Sequence, residues 1–187
     1  MATKEREMIT KPVYRYGNLE AGQLSRLCRS EDVYVPSSDD YTDARYVQRF
    51  IDNCLSSPSI WIMGRDPRHE AYIMSPLHNL TTWICHVAVR KDHRGPATLR
   101  AAAAAGAMVF RNTPCRAVLA FIPVENRIAQ FFTIQLGFHR IGTTLGTHKK
   151  GGAFRSEVIF ELTLDDYNKK WGKEVGYVIF GNRPGKR

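Results

Sequence analysis

The stretch from Val87 to Arg100 carries the densest chemical signal in the chain: Val-Ala-Val-Arg-Lys-Asp-His-Arg-Gly-Pro-Ala-Thr-Leu-Arg. An alternating apolar run gives way to charged residues, passes through Arg94, Gly95 and Pro96, and opens into an alanine-rich segment. That pattern predicts a strand, a turn, and a helix beginning near Ala97 or Thr98. The first turn of a helix has amides without intrahelical partners, and the helix dipole adds partial positive charge there. With Arg94 beside them and Gly95 letting the backbone come close, such amides make a site for a phosphate group. Ala102, Ala103 and Gly106 leave little side chain to hold this helix off a sheet. An ordinary strand-to-helix turn capped by Asp92 or Thr98 has the same local pattern, so the stretch alone leaves both readings open.

A second motif arrives after one intervening strand: Asn126-Arg-Ile-Ala-Gln-Phe-Phe-Thr-Ile-Gln-Leu-Gly-Phe138. It reads as a helix from about Asn126 to Gln135, ended by Gly137. Two titratable groups stand near these motifs. His86, just before Val87, has an ordinary pKa near the physiological range and suits a general base. Glu125, at the end of the intervening strand, is a second candidate base, and a carboxylate there equally favours the start of the following helix. Strand alternation sets His86 opposite Val87 and Val89 unless a bulge re-aims it, so a packed or surface histidine competes with the catalytic reading. His93 is either a phosphate contact or a solvent-facing loop residue.

Together the two motifs resemble those of the GNAT superfamily of acyl-CoA-dependent N-acyltransferases. Val87, Val89, Arg94 and Gly95 match its strand and R/Q-x-x-G-x-G/A pyrophosphate loop, and Asn126, Ala129, Leu136, Gly137 and Phe138 match its later helix. The resemblance covers about Ile9 to Leu162. It implies a coenzyme A cofactor, expected to be acetyl-CoA, with Val87, Val89, Arg94, Gly95, Ala97, Thr98 and Asn126 binding it. It also implies transfer of the acyl group directly to a primary amine of a small molecule or protein. The backbone of Val87 to Val89 would hold pantetheine, and one of its N–H groups would polarise the thioester carbonyl. The chain departs from the family at four places. The loop's two small positions fall on Ala97 and Leu99, Pro96 removes one amide donor, and the tyrosine that protonates the leaving thiolate falls on Thr133, whose hydroxyl is a poor acid. The strand Thr81 to Val89 also lacks the frequent carboxylate.

The elements that must position these residues follow from period and punctuation. A first strand is expected within Met8 to Tyr16, a helix over Leu19 to Cys28, and a break at Pro36 to Asp40. A second helix is expected from Asp43 to Leu55 with Tyr46, Val47, Phe50, Ile51 and Cys54 on its apolar side. Strands are expected at Ile60 to Gly64, Ala71 to Ser75 and Thr81 to Val89, and a helix from Thr98 to Arg111. Further strands should cover Ala117 to Ile122, Phe138 to Thr143 and Glu157 to Thr163. Antiparallel strands followed by a strand-helix-strand unit give an α+β fold: a mixed, mostly antiparallel sheet flanked by helices. Residues 1–163 would form one domain. Residues 164–187 would be an extension with a helical turn at Asp166 to Trp171 and a strand at Val175 to Phe180. The connection Gly142 to Arg155 is long for a hairpin and reads as a solvated loop; the resemblance implies instead that it helps frame the acceptor site, where His148, Lys149, Lys150 and Arg155 would favour an acidic acceptor.

Composition narrows the alternatives. The 187 residues are 43% hydrophobic and 24% charged, which excludes collagen-like, coiled-coil and wholly disordered chains. The apolar run Ala101 to Phe110 is too short to span a bilayer, and the N-terminus has no secretory apolar stretch, so a cytoplasmic location without a membrane is expected. Cys28, Cys54, Cys85 and Cys115 show no metal spacing and read as free thiols. The formal charge of +9, concentrated between residues 101 and 150, attracts nucleic acid, acidic proteins or anionic cofactors without choosing among them. Two other functional classes therefore stand beside the enzyme: a catalytically silent binding or structural protein on the same fold, and a nucleic-acid- or virion-associated accessory module.

Overall fold

The computed structural model describes residues 14–15, 21–33, 44–66 and 68–176. Its elements in chain order are β1 (Tyr14–Arg15), α1 (Ala21–Arg29), α2 (Ala44–Ser56), β2 (Trp61–Gly64), β3 (Glu70–Asn79) and β4 (Thr82–Val89). After a short 3-10 turn at Lys91–His93 come α3 (Pro96–Asn112), β5 (Ala117–Pro123), α4 (Arg127–Leu136), β6 (His139–Thr143), β7 (His148–Lys150), β8 (Ala153–Arg155), β9 (Glu157–Thr163) and α5 (Leu164–Val175). Seven strands form one sheet in the order β1-β2-β3-β4-β5-β9-β6, and β7 and β8 form a separate hairpin. Every neighbouring pair is antiparallel except β4 and β5. This is the α+β mixed sheet that the element order predicts.

Strand alternation divides the core into two layers. On one face Ile62, Ala71, Ile73 and Ala88 pack with Leu24 and Leu27 of α1 and Val47, Ile51 and Cys54 of α2. On the other, Met63, Tyr72, Met74, Trp83, Val89, Val118, Ala120, Ile122 and the even-numbered side chains of β9 pack against α3 and α5. Buried Ala101, Ala102, Ala103, Ala105 and Ala107 make α3 slender, and Gly106 lies where an added Cβ would meet the Tyr167 ring at 3.7 Å.

Local signals explain the boundaries. Pro96 occupies the first turn of α3, where its missing N–H costs no helical bond, so the helix starts one residue before Ala97. Asn126 caps α4 by accepting from the Ala129 amide at 3.2 Å, and Gly137 ends it in the left-handed region at φ 101°. Pro76 does not separate two strands. It lies inside β3 opposite Trp83, at a register shift that lets the strand continue to Asn79, and the turn falls on Leu80 and Thr81.

The helical turn expected at Asp166 to Trp171 is a full helix. Thr163 caps it by accepting from the Asp166 amide, Leu164, Tyr167 and Trp171 enter the main core, and the Trp171 indole donates to the Leu136 carbonyl at 2.7 Å. Val175 ends this helix, and residues 177–180 of the strand expected at Val175 to Phe180 lie outside the described residues. So do most of the first expected strand, of which Tyr14 and Arg15 are described, and the break at Pro36 to Asp40.

Candidate active site

β4 and β5 run parallel and are paired at Thr82–Ala117, Trp83–Val118 and Ile84–Leu119. Beyond Ile84 the pairing stops, although β4 continues to Val89 and β5 to Pro123. β5 stays bonded to β9 through Pro123, and β4 stays bonded to β3 through Val89, so the sheet opens between its two central strands without fraying elsewhere.

The edge that β4 offers this opening follows from its other edge. The Arg90 amide donates to the His69 carbonyl at 2.9 Å. Bonded pairs alternate along an antiparallel ladder, so the even-numbered residues of β4 direct their peptide groups to β3. The peptide groups of Cys85, Val87 and Val89 therefore face the opening. The β3–β4 register is unbroken from Glu70–Val89 to Pro76–Trp83, so no bulge interrupts this pattern.

The turn after β4 closes one end of the opening. Leu99 donates to the Gly95 carbonyl at 3.1 Å and packs its side chain against the main core. The amides of Gly95, Ala97 and Thr98 have no hydrogen bond among the described residues. A Cβ placed on Gly95 would meet nothing within 4 Å, and its φ of 166° is ordinary extended backbone. Neither packing nor conformation thus demands glycine here, and the space before these amides is open. Three donors at a helix start, in front of room that only a side chain would fill, suit a diphosphate.

Other groups hold the turn in place. The Arg94 guanidinium donates to the Asp32 carbonyl at 2.8 Å and to the Val89 carbonyl at 3.3 Å, bracing the end of β4. The Asp32 carboxylate accepts from the Lys91 amide at 2.5 Å, and this bond holds its pKa below the usual carboxylate value. Thr98 is buried; its hydroxyl donates to the His93 carbonyl, and its own carbonyl accepts from the Tyr72 hydroxyl at 3.0 Å. Asp92 sits beside His93, which lowers the Asp92 pKa, and the His93 ring stacks on His69 at 3.7 Å. Arg65 and Glu70 form a two-pronged ion pair at 2.7 and 2.8 Å at the start of β3, with Glu70 opposite Val89.

The candidate residues fall on different elements: β4, the turn after it, the end of β5 and α4. Val87 is exposed and Val89 belongs to the main core. His86 is on the other face, towards α1 and α2, with its ring edge-on to Phe50 at 5.9 Å. The ring has a solvent-accessible side yet sits among protein atoms, and this desolvation lowers its pKa from the ordinary 6.5. Glu125 is exposed just past β5, at the same end of the sheet. Asn126 spends its Oδ1 on the helix cap, and Thr133 is buried in α4. Cys85 lies on β4, where burial pushes its thiol up to about 12 and leaves it a poor nucleophile.

Asp32, Tyr72, Arg65 and Glu70 carried no local motif. Asp32 and Tyr72 act through contacts with distant segments, whereas Arg65 and Glu70, five residues apart, meet across the turn between β2 and β3. The connection from Gly142 to Arg155 is also more ordered than expected: it contains the β7–β8 hairpin.

No protein-family model matches the sequence, and no curated protein does. The fold has close counterparts among solved structures. One is RimL, a ribosomal L7/L12 alpha-N-protein acetyltransferase in complex with coenzyme A, at TM-score 0.68 and 9% identity, covering 84% of this chain and 97% of that one. Another is spermidine N-acetyltransferase from Vibrio cholerae in complex with CoA and spermine, at TM-score 0.68 and 10% identity, covering 83% and 96%. A third is an acetyltransferase of the GNAT family from Bacillus anthracis, at TM-score 0.63 and 11% identity, covering 81% and 93%.

Proposed function

We propose that this chain, whose fold is that of the GNAT acetyltransferases, transfers an acyl group, acetyl in the simplest case, from acyl-CoA to a primary amine. One observation carries the reading: the parallel strands β4 and β5 part after Ile84 and Leu119, directly beside the unbonded amides of Gly95, Ala97 and Thr98. An unpaired strand edge leading to free helix-start amides suits an extended amide-bearing arm that ends in a diphosphate. The neighbours solved with coenzyme A have the same overall fold.

Acetyl-CoA would bring the activated thioester; the protein's share is binding, orientation and proton handling. In this reading the amides of Gly95, Ala97 and Thr98 hold the diphosphate, and Arg94 keeps the turn fixed by bracing Val89 and Asp32. The peptide edge of Val87 and Val89 aligns the arm. An N–H on that edge polarises the thioester carbonyl, a contact typically worth about 3 to 4 kcal/mol of barrier. The amine approaches from the α1 and α2 side, where His86 faces. Its lowered pKa keeps the ring neutral near pH 7 and able to take the proton, and Glu125 is the alternative base. The thiolate leaves with a proton from water, since a threonine hydroxyl such as that of Thr133 is far too weak an acid.

A silent binding scaffold is favoured by one observation, the burial of Thr133 where the family has its tyrosine. Two measurements separate the readings. Acetyl-CoA in large excess raises the melting temperature under either, because a ligand of the folded state stabilises it. Transfer of radiolabelled acetyl to a panel of peptides and polyamines occurs only under the first. An unchanged melting temperature overturns the acyl-CoA reading itself.

A further inference from the structure

We propose that Asp32 is a positioning residue that couples the turn after β4 to the α1–α2 layer, so that acetyl-CoA held at the turn also orders the side from which the amine arrives. The proposal rests on the acyl-transfer reading and adds a residue and a linkage to it.

The first amide of a helical turn has no partner within that turn. For the 3-10 turn at Lys91–His93 this is the Lys91 amide. Arg90, the residue before it, supplies no side-chain cap, and the Asp92 carboxylate is engaged by Arg90 and His93. A carboxylate 59 residues away meets the need, since Asp32 accepts from the Lys91 amide at 2.5 Å. The main-chain carbonyl of Asp32 accepts from Arg94 at 2.8 Å, and the same guanidinium reaches the Val89 carbonyl at 3.3 Å. One residue therefore grips both ends of the segment from Lys91 to Arg94, immediately before the amides of Gly95, Ala97 and Thr98.

Asp32 is itself fixed to α1. The Ser30 amide donates to the Leu27 carbonyl at 3.1 Å and its hydroxyl to the same carbonyl at 2.7 Å. The Val33 amide donates to the Ser30 carbonyl at 3.0 Å, and the Val33 side chain is in the core with Leu24 and Leu27. α1 is locked to α2 in turn, because Gln48 Oε1 accepts from the Ser25 hydroxyl and from Arg29, both at 2.6 Å. Phe50 of α2 carries the ring that meets His86. Contacts thus run from the turn through Asp32, α1 and α2 to the face of β4 on which His86 lies.

A ligand that binds the ordered turn stabilises the Asp32 contacts, and those contacts hold the turn ready for the ligand. Such a coupling is reciprocal. A carboxylate repels a diphosphate, so Asp32 contributes through the bond it accepts and not through its charge. Two substitutions separate these effects. Asp32→Asn keeps an oxygen able to accept from the Lys91 amide and removes the charge, whereas Asp32→Ala removes both.

The test is hydrogen exchange read by mass spectrometry, with calorimetric titration of acetyl-CoA and steady-state kinetics, on the full-length wild type and both variants. Without ligand, Asp32→Ala should exchange faster across residues 90–99 while the β5–β9 ladder is unchanged. Saturating acetyl-CoA should slow exchange in the wild type across residues 90–99 and also across residues 21–33. In Asp32→Ala at saturation the first region should be protected and the second should not. Acetyl-CoA affinity in Asp32→Ala should fall about fivefold, seen in turnover as a higher KM for acetyl-CoA with kcat unchanged. Asp32→Asn should restore both the affinity and the protection of residues 21–33.

Equal affinity and equal exchange in Asp32→Ala overturn the proposal. So does a loss in Asp32→Asn as large as in Asp32→Ala, which would assign the effect to charge, or faster exchange in the β5–β9 ladder, which would make Asp32 a residue of general stability. A wild type that binds acetyl-CoA without protecting residues 21–33 overturns the linkage alone. A wild type that binds no acetyl-CoA overturns the acyl-CoA reading and the linkage with it, so the two failures are distinct.

Discussion

Ile84 of β4 and Leu119 of β5 are the last residues at which the two central strands remain neighbours. Five residues of β4, from Cys85 to Val89, run past that point with one edge paired to β3 and the other directed at the opening. Unpaired peptide groups in the middle of a sheet carry a desolvation cost unless water or a ligand meets them. Both ends of this edge are fixed, by the Ile84–Leu119 pairing at one end and the Arg94–Val89 brace at the other. Such an edge is prepared to accept an extended ligand with little loss of freedom on binding.

Gly95→Val separates ligand space from packing. The glycine's backbone is extended and the space beyond it is open, so the variant should keep its stability within about 0.5 kcal/mol. The added side chain fills the space before the three amides, and acetyl-CoA affinity should fall about tenfold or more. Calorimetric titration and thermal denaturation of the same preparation check both parts.

Glu70→Ala should act the other way, on stability first. Glu70 is 1% exposed and receives Arg65 from its side chain and its backbone amide. Removing it takes the two-pronged carboxylate from a guanidinium that is 22% exposed, at a cost of about 3 kcal/mol. Because Glu70 faces Val89 across the sheet, the end of β4 should loosen as well. Urea unfolding would show the loss as a lower midpoint with an unchanged slope.

His86 gives a pH signature. Its folded pKa is below 6.5, so the ring is neutral at pH 7 and activity should be level there, falling as pH drops through that lowered value. The unfolded chain binds this proton first. Stability from the neutral ring is therefore full above about pH 6.5 and is lost as pH falls towards the folded pKa. His86→Gln should reduce kcat/KM by about 10²-fold and remove the acid limb of its pH profile. An acid limb that survives in the variant assigns the base elsewhere, with Glu125 next.

Local signals made much of this fold legible. Gly137 marked the end of α4, Asn126 its cap, and the alternation of Val87 and Val89 set the face from which His86 is excluded. The hairpin was less visible because its strands are three residues each, too short for an alternating pattern, although Gly151-Gly152 between polar residues is a turn signal. β3 runs past the Ser75 end that Pro76 predicts, because a register shift accommodates the proline. The placement of Gly95 and Ala97 on a strand-to-helix turn could be identified from one segment. The roles of Asp32 and Tyr72 could not, since each depends on a contact with a partner distant in sequence. Arg94 shows the limit of motif reading: its charge is where a phosphate contact was expected, but its guanidinium holds two carbonyls.

The most direct measurement is an amide-resolved NMR titration of the 15N-labelled protein with acetyl-CoA. The amides of Gly95, Ala97 and Thr98 should move together with that of Val87, saturating at one dissociation constant, as a ligand that grips the turn and lies along the strand requires. A saturating titration in which those four signals stay still while others shift, or one in which nothing shifts, would contradict the account.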